Sequence, residues 1–350
     1  MKVAVIGGGV AGLSLALILA RRGHKVILYE QDYPGCSATG RSAGIIVTIF
    51  EDRLLKLALE TLDFYMSLPG AVEIVKAKKA LYLNKSGVCI SKLLKIHELN
   101  RIAIPDDVDP DLGVDFDYGK DYYAVIRTYL TDAGWTINTL YSEFLRLGGT
   151  IIEGPVERKG DKFYHSGNRI EGKIVIAAGP WTRQLLPEIE DSTIIYRCQA
   201  ASVEGPTPRM IIEDDSLEYY LVPTSDSRFV IGDGGNPVIK DPIEGFNPDP
   251  EETYGVLERY AKRVPEAWES SVVQMWAAPC ITTGDSIPMA GKVFDNVYVL
   301  TGFDGAGISL APAVARLLAD EIEGRGKVPN EFSRLERRVY GVVEPYVINC

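Results

Sequence analysis

The first thirty residues constrain the fold most, because they combine two buried-looking strands, a glycine turn and a helix. Lys2–Ile6 is apolar enough for a buried strand, Val10–Arg22 has the pattern of a helix closed by Gly23, and Lys25–Glu30 reads as a second strand. A strand, a helix and a strand in this order predict a βαβ unit and therefore a parallel sheet.

The turn between the first strand and the helix has the spacing Gly7-x-Gly9-x-x-Gly12. The first glycine permits a tight turn, the second lets the backbone approach a pyrophosphate, and the third lets helix and strand pack closely. The N-terminus of the helix adds N–H donors and a positive dipole, and Glu30 can accept hydrogen bonds from a ribose diol. The motif predicts dinucleotide binding, with a glycine turn that serves packing alone as the alternative. The candidate cofactor-binding residues here are Gly7, Gly9, Val10, Ala11, Gly12, Glu30 and Gln31.

Composition excludes several classes of function. The net charge of −11, from 37 basic and 48 acidic residues, argues against a broad nucleic-acid or anionic-membrane surface and favours a small-molecule substrate. Three scattered histidines predict neither a metal site nor a hydrolytic triad. Five widely spaced cysteines without a C-x-x-C pair predict no zinc site and no disulfide framework, which favours the cytoplasm.

An uncharged run from Val3 to Ala20 raises the question of a membrane span. Gly7, Gly8 and Gly9 would break a spanning helix after a few residues, whereas a strand, a turn and a buried helix explain the same run. We therefore predict no integral membrane segment.

A second segment distinguishes FAD from NAD. Residues 35–46 are rich in small and hydroxyl side chains that can approach a long, extended ligand and donate to its phosphates and ring edge. A plain NAD enzyme has no need of such a segment, although a polar connecting loop would have the same composition. The candidate residues are Ser37, Thr39, Gly40, Arg41 and Ser42.

Two more segments complete a family resemblance: Ile174–Trp181, with its Ala-Ala-Gly-Pro-Trp end, and the glycine turn that starts at Gly302 and leads into an apolar helix. With the two earlier segments, in this order and spacing, they resemble the D-amino acid oxidase superfamily, in particular its glycine oxidase, sarcosine oxidase and amino-acid dehydrogenase branch. The likeness covers nearly the whole chain.

The resemblance implies how FAD would be bound. Val156 would lie by the adenine, and Ala178, Gly179 and Trp181 would line the cofactor. The second glycine turn would face the pyrimidine end of the flavin, where the start of the next helix stabilises the anionic reduced ring. Its predicted residues are Phe303, Asp304, Gly305, Ala306, Gly307 and Ile308.

The resemblance also implies a substrate pocket. Tyr220 matches the family's pocket tyrosine, and a sheet aromatic that covers the core is the alternative. Arg197 is the second candidate. The family's arginines for a substrate carboxylate are missing from the stretch Ala278–Asp285 and from the second glycine turn. Either Arg197, Arg41 or another arginine replaces them, or the substrate is not a simple α-amino acid.

Two positions bear on how the flavin is attached. Cys280 lies near the position of a cysteine that forms a thioether to flavin in sarcosine-oxidase-like relatives, but its spacing to Asp285 is shorter. Arg41 stands where other relatives have a histidyl flavin ligand. We therefore expect non-covalent FAD, with a Cys280 thioether as the minor alternative.

Together these features predict an α/β fold with a Rossmann-type FAD-binding domain and a mixed, largely antiparallel-sheet substrate domain. The FAD-binding domain is assigned to residues 1–78, 130–190 and 280–335, the substrate domain to 79–129 and 191–279, and a C-terminal tail to 336–350.

The predicted function is oxidation of a small amine or amino acid by hydride transfer to flavin N5, with oxygen, a quinone or a protein partner as electron acceptor. One alternative is a flavin-dependent 2-hydroxy acid or glycerol phosphate dehydrogenase, for which the sequence shows no evident base. The other is a flavin-binding subunit of a larger redox complex.

Overall fold

A computed structural model describes residues 1–105, 110–232 and 237–337 of the chain. Most of the polar stretch at 106–111 that the sequence predicts as a surface loop lies outside these residues. Within the described part of the chain, no helix has the length and apolar character needed to cross a membrane.

The strands and helices of the described residues follow in chain order. The strands are β1 Lys2–Ile6, β2 Lys25–Glu30, β3 Ile45–Ile46, β4 Lys76–Asn84, β5 Tyr122–Leu130, β6 Thr150–Glu153, β7 Val156–Lys159, β8 Lys162–His165, β9 Asn168–Arg169, β10 Lys173–Ile176, β11 Thr193–Glu204, β12 Ile211–Asp214, β13 Tyr219–Ser225, β14 Arg228–Gly232, β15 Ser271–Thr283, β16 Met289–Phe294 and β17 Val297–Thr301. The α-helices are α1 Val10–Arg21, α2 Asp52–Met66, α3 Ala71–Ile74, α4 Gly87–Leu99, α5 Ala133–Arg146, α6 Thr182–Leu185, α7 Pro250–Ala261, α8 Gly307–Glu323 and α9 Asn330–Ser333.

The first sheet has six strands in the order β16-β17-β10-β1-β2-β6. All neighbours are parallel except β16 and β17, so the predicted βαβ start of a parallel sheet is confirmed. Helices α1, α5 and α8 pack together on one face through a shared apolar core. Parallel strands end at the same edge, and this places the turns after β1, β10 and β17 side by side.

The second sheet has eight strands in the order β15-β11-β14-β13-β12-β4-β5-β3. Its pairs are antiparallel except for β12 and β4, which run parallel. The predicted α/β fold with a mixed, largely antiparallel second sheet is confirmed. A small antiparallel sheet, β7-β8-β9, completes the set in the described chain.

Residues 80–110 mix short apolar runs with polar residues and would suggest short strands and a loop, but part of this range forms helix α4. Ser86 caps this helix by accepting a hydrogen bond from the Cys89 N–H at 3.4 Å. Its buried residues Ile90, Leu93 and His97 recur at helical spacing. The polar residues between them hid that period in the sequence.

The domain boundaries remain a prediction. Strand β3 comes from the range assigned to the FAD-binding domain, yet it pairs with β5 in the second sheet. In the assigned tail, Arg337 is buried and donates hydrogen bonds to Asp285 at 2.8 Å and to several carbonyl oxygens. Residues 338–350 lie outside the described part of the chain.

The described cysteines differ in state. Cys36, Cys198 and Cys280 carry free thiols, whereas Cys89 takes part in a disulfide. One disulfide is not the disulfide framework that the sequence argues against. Localisation to the cytoplasm remains a prediction.

Candidate cofactor and substrate site

One elongated cavity of about 470 Å³ begins at the turn after β1 and ends against the second sheet. Its size falls in the range of about 300–1,000 Å³ that is usual for small-molecule sites. It is bordered by the turns after β1, β10 and β17, by residues 35–49, and by strands β11, β12, β13 and β15.

The turn after β1 packs tightly against the end of β10. Gly7 has φ +111°, and a Cβ there would meet the Ala177 carbonyl oxygen at 2.3 Å, so only glycine fits. Glu30 accepts a hydrogen bond from the Gly8 N–H at 2.5 Å, and Thr39 accepts one from the Val10 N–H at 3.2 Å. Burial raises the pKa of Glu30. The start of α1, Glu30 and Thr39 therefore meet at one end of the cavity.

The segment 35–46 lies along the cavity, with Ser37, Thr39, Arg41 and Ser42 in its lining. The Arg41 guanidinium donates to the Cys36 carbonyl and stacks over the Phe246 ring, 4.7 Å from its centroid. The Arg41 carbonyl in turn accepts a hydrogen bond from Trp276 Nε1 at 2.9 Å. These contacts hold the segment between the two sheets.

The turn after β17 borders the middle of the cavity. Gly302, Asp304 and Gly305 all have positive φ, which directs the chain sharply into α8. Asp304 is 4% exposed and accepts a hydrogen bond from the Tyr196 hydroxyl at 2.7 Å. Burial raises the pKa of Asp304 to about 6, although the Tyr196 hydrogen bond lowers it. Because α8 begins at Gly307, its positive dipole end points toward this turn.

These features fit an extended dinucleotide. The cavity offers a glycine turn that excludes a Cβ, a helix start and an acid at one end, and a second helix start further along. Pyrophosphate and ribose suit the first set, and a ring that gains negative charge on reduction suits the second.

Comparison with known proteins agrees with this geometry. The family model described as FAD dependent oxidoreductase, DAO, matches residues 2–321. The chain belongs to this family. FAD is therefore its cofactor, and the protein is an FAD-dependent amine or amino-acid oxidase or dehydrogenase.

Individual relatives cover nearly the whole chain. Glycine oxidase of Pseudomonas aeruginosa is 26% identical over an alignment that covers 93% of this chain and 95% of that protein. The crystal structure of glycine oxidase from Geobacillus kaustophilus has a TM-score of 0.77 at 21% identity and covers 97% of this chain and 100% of its own. That of L-proline dehydrogenase from P. horikoshii has a TM-score of 0.77 at 20% identity and covers 94% and 95%. At these identities the two structures show the shared fold.

Most of the predicted site residues line the cavity. They are Gly7, Gly9, Val10, Ala11, Glu30, Gln31, Ser37, Thr39, Arg41, Ser42, Val156, Ala178, Gly179, Trp181, Tyr220, Phe303, Asp304, Gly305, Ala306, Gly307 and Ile308. Their roles toward FAD remain predictions.

Two of the predicted glycines, Gly12 and Gly40, do not line the cavity but lie under its turns. A Cβ on Gly12 would lie 1.9 Å from the Gly7 carbonyl oxygen, and a Cβ on Gly40 would lie 2.3 Å from the Gly35 carbonyl oxygen. Both permit backbone-to-backbone contact that shapes the turns lining the cavity.

Arg197 is not in the cavity lining, which corrects its assignment to the pocket. Its neighbours Tyr196 and Cys198 face the cavity, and successive residues of a strand point to opposite faces. The Arg197 guanidinium instead pairs with Glu252 at 2.8 Å and Asp249 at 3.6 Å.

The sequence analysis missed the consecutive acids Glu213, Asp214 and Asp215, which border the cavity at the second sheet, as does the exposed Glu218. Glu213 lies directly opposite Tyr220 in the register of β12 and β13. In the sequence the three consecutive acids form a Glu-Asp-Asp run that is typical of a solvated turn. The sequence did hold one signal: Glu213 and Asp215 directly follow the apolar pair Ile211 and Ile212, and alternate residues of a strand share a face.

Cys280 and Cys198 lie on neighbouring strands and both line the cavity. A hydrogen bond with the Cys280 thiol, together with burial, raises the pKa of the Cys198 thiol. The Cys280 thiol is buried and hydrogen-bonds with Cys198, which supports the expectation of non-covalent FAD.

Proposed function

We propose that this protein oxidises a small amine or amino acid to the imine. The observation that carries the proposal is one cavity that connects the dinucleotide cradle to the sheet face bearing Tyr220. The relatives named glycine oxidase and L-proline dehydrogenase support the same substrate class.

FAD, held by the turns after β1 and β17, would supply the redox chemistry as the acceptor for hydride from the carbon next to the amine nitrogen. The protein's own groups position the reactants. The start of α8 stabilises negative charge at the turn Phe303–Ile308, and Tyr220 orients the substrate through its phenol. The two sheets enclose the cavity and limit the access of water.

The test is anaerobic bleaching of the flavin absorbance. Sarcosine, glycine, proline or simple alkylamines should reduce the flavin, and reduction should strengthen as pH rises toward the amine pKa, because only a neutral amine gives up hydride. Tyr220→Phe should weaken substrate binding more than FAD binding. Bleaching by lactate or glycerol phosphate, with every amine inert, would contradict the proposal.

Oxidation of a 2-hydroxy acid is the second candidate, and one observation bears on it. Glu213 and Asp215 supply carboxyl groups that could act as the base that the sequence reading did not find. Neither group offers a counter-charge to an anionic hydroxy acid or glycerol phosphate, and each repels such a substrate once it ionises. The absence of a counter-charge therefore ranks this candidate below amine oxidation. Full flavin occupancy without bleaching by either class would favour a flavin-binding subunit of a larger complex.

A further inference from the structure

The end of the cavity at the second sheet, which we call the substrate end, carries carboxyl groups. The proposed oxidation does not require them. Glu213, Asp214, Asp215 and Glu218 all border the cavity, but the side chain of Asp214 pairs with Arg263 at 2.8 Å and Glu218 is exposed. Because neighbouring residues of an extended chain point to opposite sides, Glu213 and Asp215 share the face that is turned away from Arg263. Asp215 accepts hydrogen bonds from the Tyr82 hydroxyl at 2.5 Å and from Asn84 at 3.4 Å.

Glu213, in contrast, has no hydrogen-bond or ion-pair partner for its carboxyl group among the described residues. Tyr220 on β13 and Tyr82 on β4 flank it in the sheet register. Directly opposite side chains on antiparallel strands have Cβ atoms about 4.5–5.5 Å apart. The segment that covers this sheet face contributes only apolar side chains to the cavity, which are Ala43, Ile45, Val47 and Ile49.

These surroundings destabilise the ionised form of the Glu213 carboxyl group when no ligand is bound. Burial, and the charge of Asp215 to a smaller extent, raise the pKa of Glu213 to about 8. A buried carboxylate that lacks a counter-charge is stabilised strongly when a cation binds beside it. The faces of the flanking tyrosine rings attract cations as well.

The cavity offers little to a substrate carboxylate. Among the described residues that line it, Arg41 is the only arginine or lysine. Its guanidinium already binds the Cys36 carbonyl and the Phe246 ring. Arg197 points away and pairs with Glu252 and Asp249. No described cation therefore stands beside Glu213.

Resting on the proposed function, we propose that the substrate is an amine without a carboxylate group and that Glu213 selects it by pairing with its ammonium form, whose proton passes to the Glu213 carboxylate before the neutral amine gives up hydride. The absence of the family's arginines and the presence of Glu213 then have one explanation. A bound ammonium group favours the ionised form of Glu213, whereas the carboxylate of an amino acid or hydroxy acid would lie near Glu213 and Asp215 without a counter-charge.

Matched substrates test the selection directly. Propylamine and N-methylpropylamine replace the carboxylates of glycine and sarcosine by an ethyl group, so each pair differs mainly in charge. In anaerobic flavin reduction, the two alkylamines should reach half-saturation at lower concentration than their amino-acid partners. Glu213→Gln should raise the half-saturation concentration of the alkylamines by about tenfold or more, the size expected for one charge-assisted hydrogen bond. It should leave that of sarcosine unchanged or lower.

Calorimetric titration with unreactive ions adds a readout that does not depend on turnover. Tetramethylammonium has no lone pair and cannot be oxidised by hydride loss, so its binding reports charge recognition alone. It should bind the wild-type holoenzyme more tightly than Glu213→Gln, and acetate should show the opposite order. Glu258→Gln, which removes an exposed carboxylate on α7, is the control and should match the wild type.

The possible failures are distinct. If glycine or sarcosine reduces the flavin better than its matched alkylamine, or if Glu213→Gln with full flavin absorbance leaves the preference and tetramethylammonium binding unchanged, the selection by Glu213 is wrong and amine oxidation stands. If neither alkylamines nor amino acids bleach the flavin, the proposed function itself fails, and the inference fails with it.

Discussion

At the scale of single residues, burial rather than residue type determines which charged groups matter. Glu30 and Glu213 both border the cavity, yet Glu30 accepts two backbone N–H groups, of Gly8 and Asp32, and Glu213 accepts none among the described residues. Glu30 is therefore arranged to organise a turn, and Glu213 is left to interact with a ligand.

Glu30→Gln tests the first of these roles. The substitution keeps the size but removes the charge that favours hydrogen bonds from a ribose diol and from the Gly8 N–H. We expect FAD affinity to fall by about 10- to 100-fold, since a hydrogen bond to a charged group contributes about 1.5–3 kcal/mol. FAD titration of the apoprotein measures this, with the exposed Glu157→Gln as control. Unchanged affinity would place Glu30 away from the cofactor.

Glu213 should also make the free energy of unfolding depend on pH, and the variant Glu213→Gln tests this. The pKa of Glu213 is about 8 in the folded protein and near 4.5 in an unfolded chain, so the folded state holds the proton more tightly. The contribution of Glu213 to stability is therefore fully present below about pH 4.5 and is lost as pH rises through 8, by up to about 1.4 kcal/mol per unit. Asp215, Tyr82 and Tyr220 face this group and remain in the variant.

The variant should lack the loss of stability that Glu213 causes. From pH 5 to pH 8 its free energy of unfolding should therefore increase relative to that of the wild type. Denaturant titration at both pH values measures it. A constant difference would mean that Glu213 is not desolvated.

At the scale of elements, helix α1 depends on contact between its backbone and the turn before it. Gly12 is buried inside α1, and Gly255 is a helical glycine of α7 with open space around it. Intrinsic helix propensity favours alanine at both positions.

Gly12→Ala and Gly255→Ala therefore form a matched pair. The first should destabilise the protein by about 1–3 kcal/mol or more and reduce FAD content, because its Cβ meets the Gly7 carbonyl oxygen at 1.9 Å. The second should stabilise it by up to about 1 kcal/mol. Thermal denaturation and flavin absorbance measure both. If the two variants behave alike, close packing at Gly12 is not required.

At the scale of the whole molecule, the cavity lies between the two sheets and draws its lining from both. A ligand that contacts both sheets stabilises the folded protein as a unit by mass action. Added FAD should therefore raise the melting temperature of the apoprotein in a single transition.

The mode of attachment is tested on the same holoprotein. Acid precipitation should release the flavin and leave a colourless pellet, and Cys280→Ser should not alter this, because the Cys280 thiol is buried beside Cys198. A yellow pellet that becomes colourless only in Cys280→Ser would establish the thioether instead.

The sequence by itself determined the parallel sheet and the glycine turns, since these depend on local spacing, and its family resemblance indicated the cofactor. Gly7, Gly9 and Glu30 meet within one βαβ unit, so thirty residues suffice to place them. Only the tertiary structure decided which polar residues line the substrate end of the cavity. Arg197 and Glu213 are polar residues on strands, and local alternation does not say which face of a sheet meets the cofactor. Pairing of β11 with β15 and of β12 with β13 turned Arg197 away from the cavity and set Glu213 beside Tyr220.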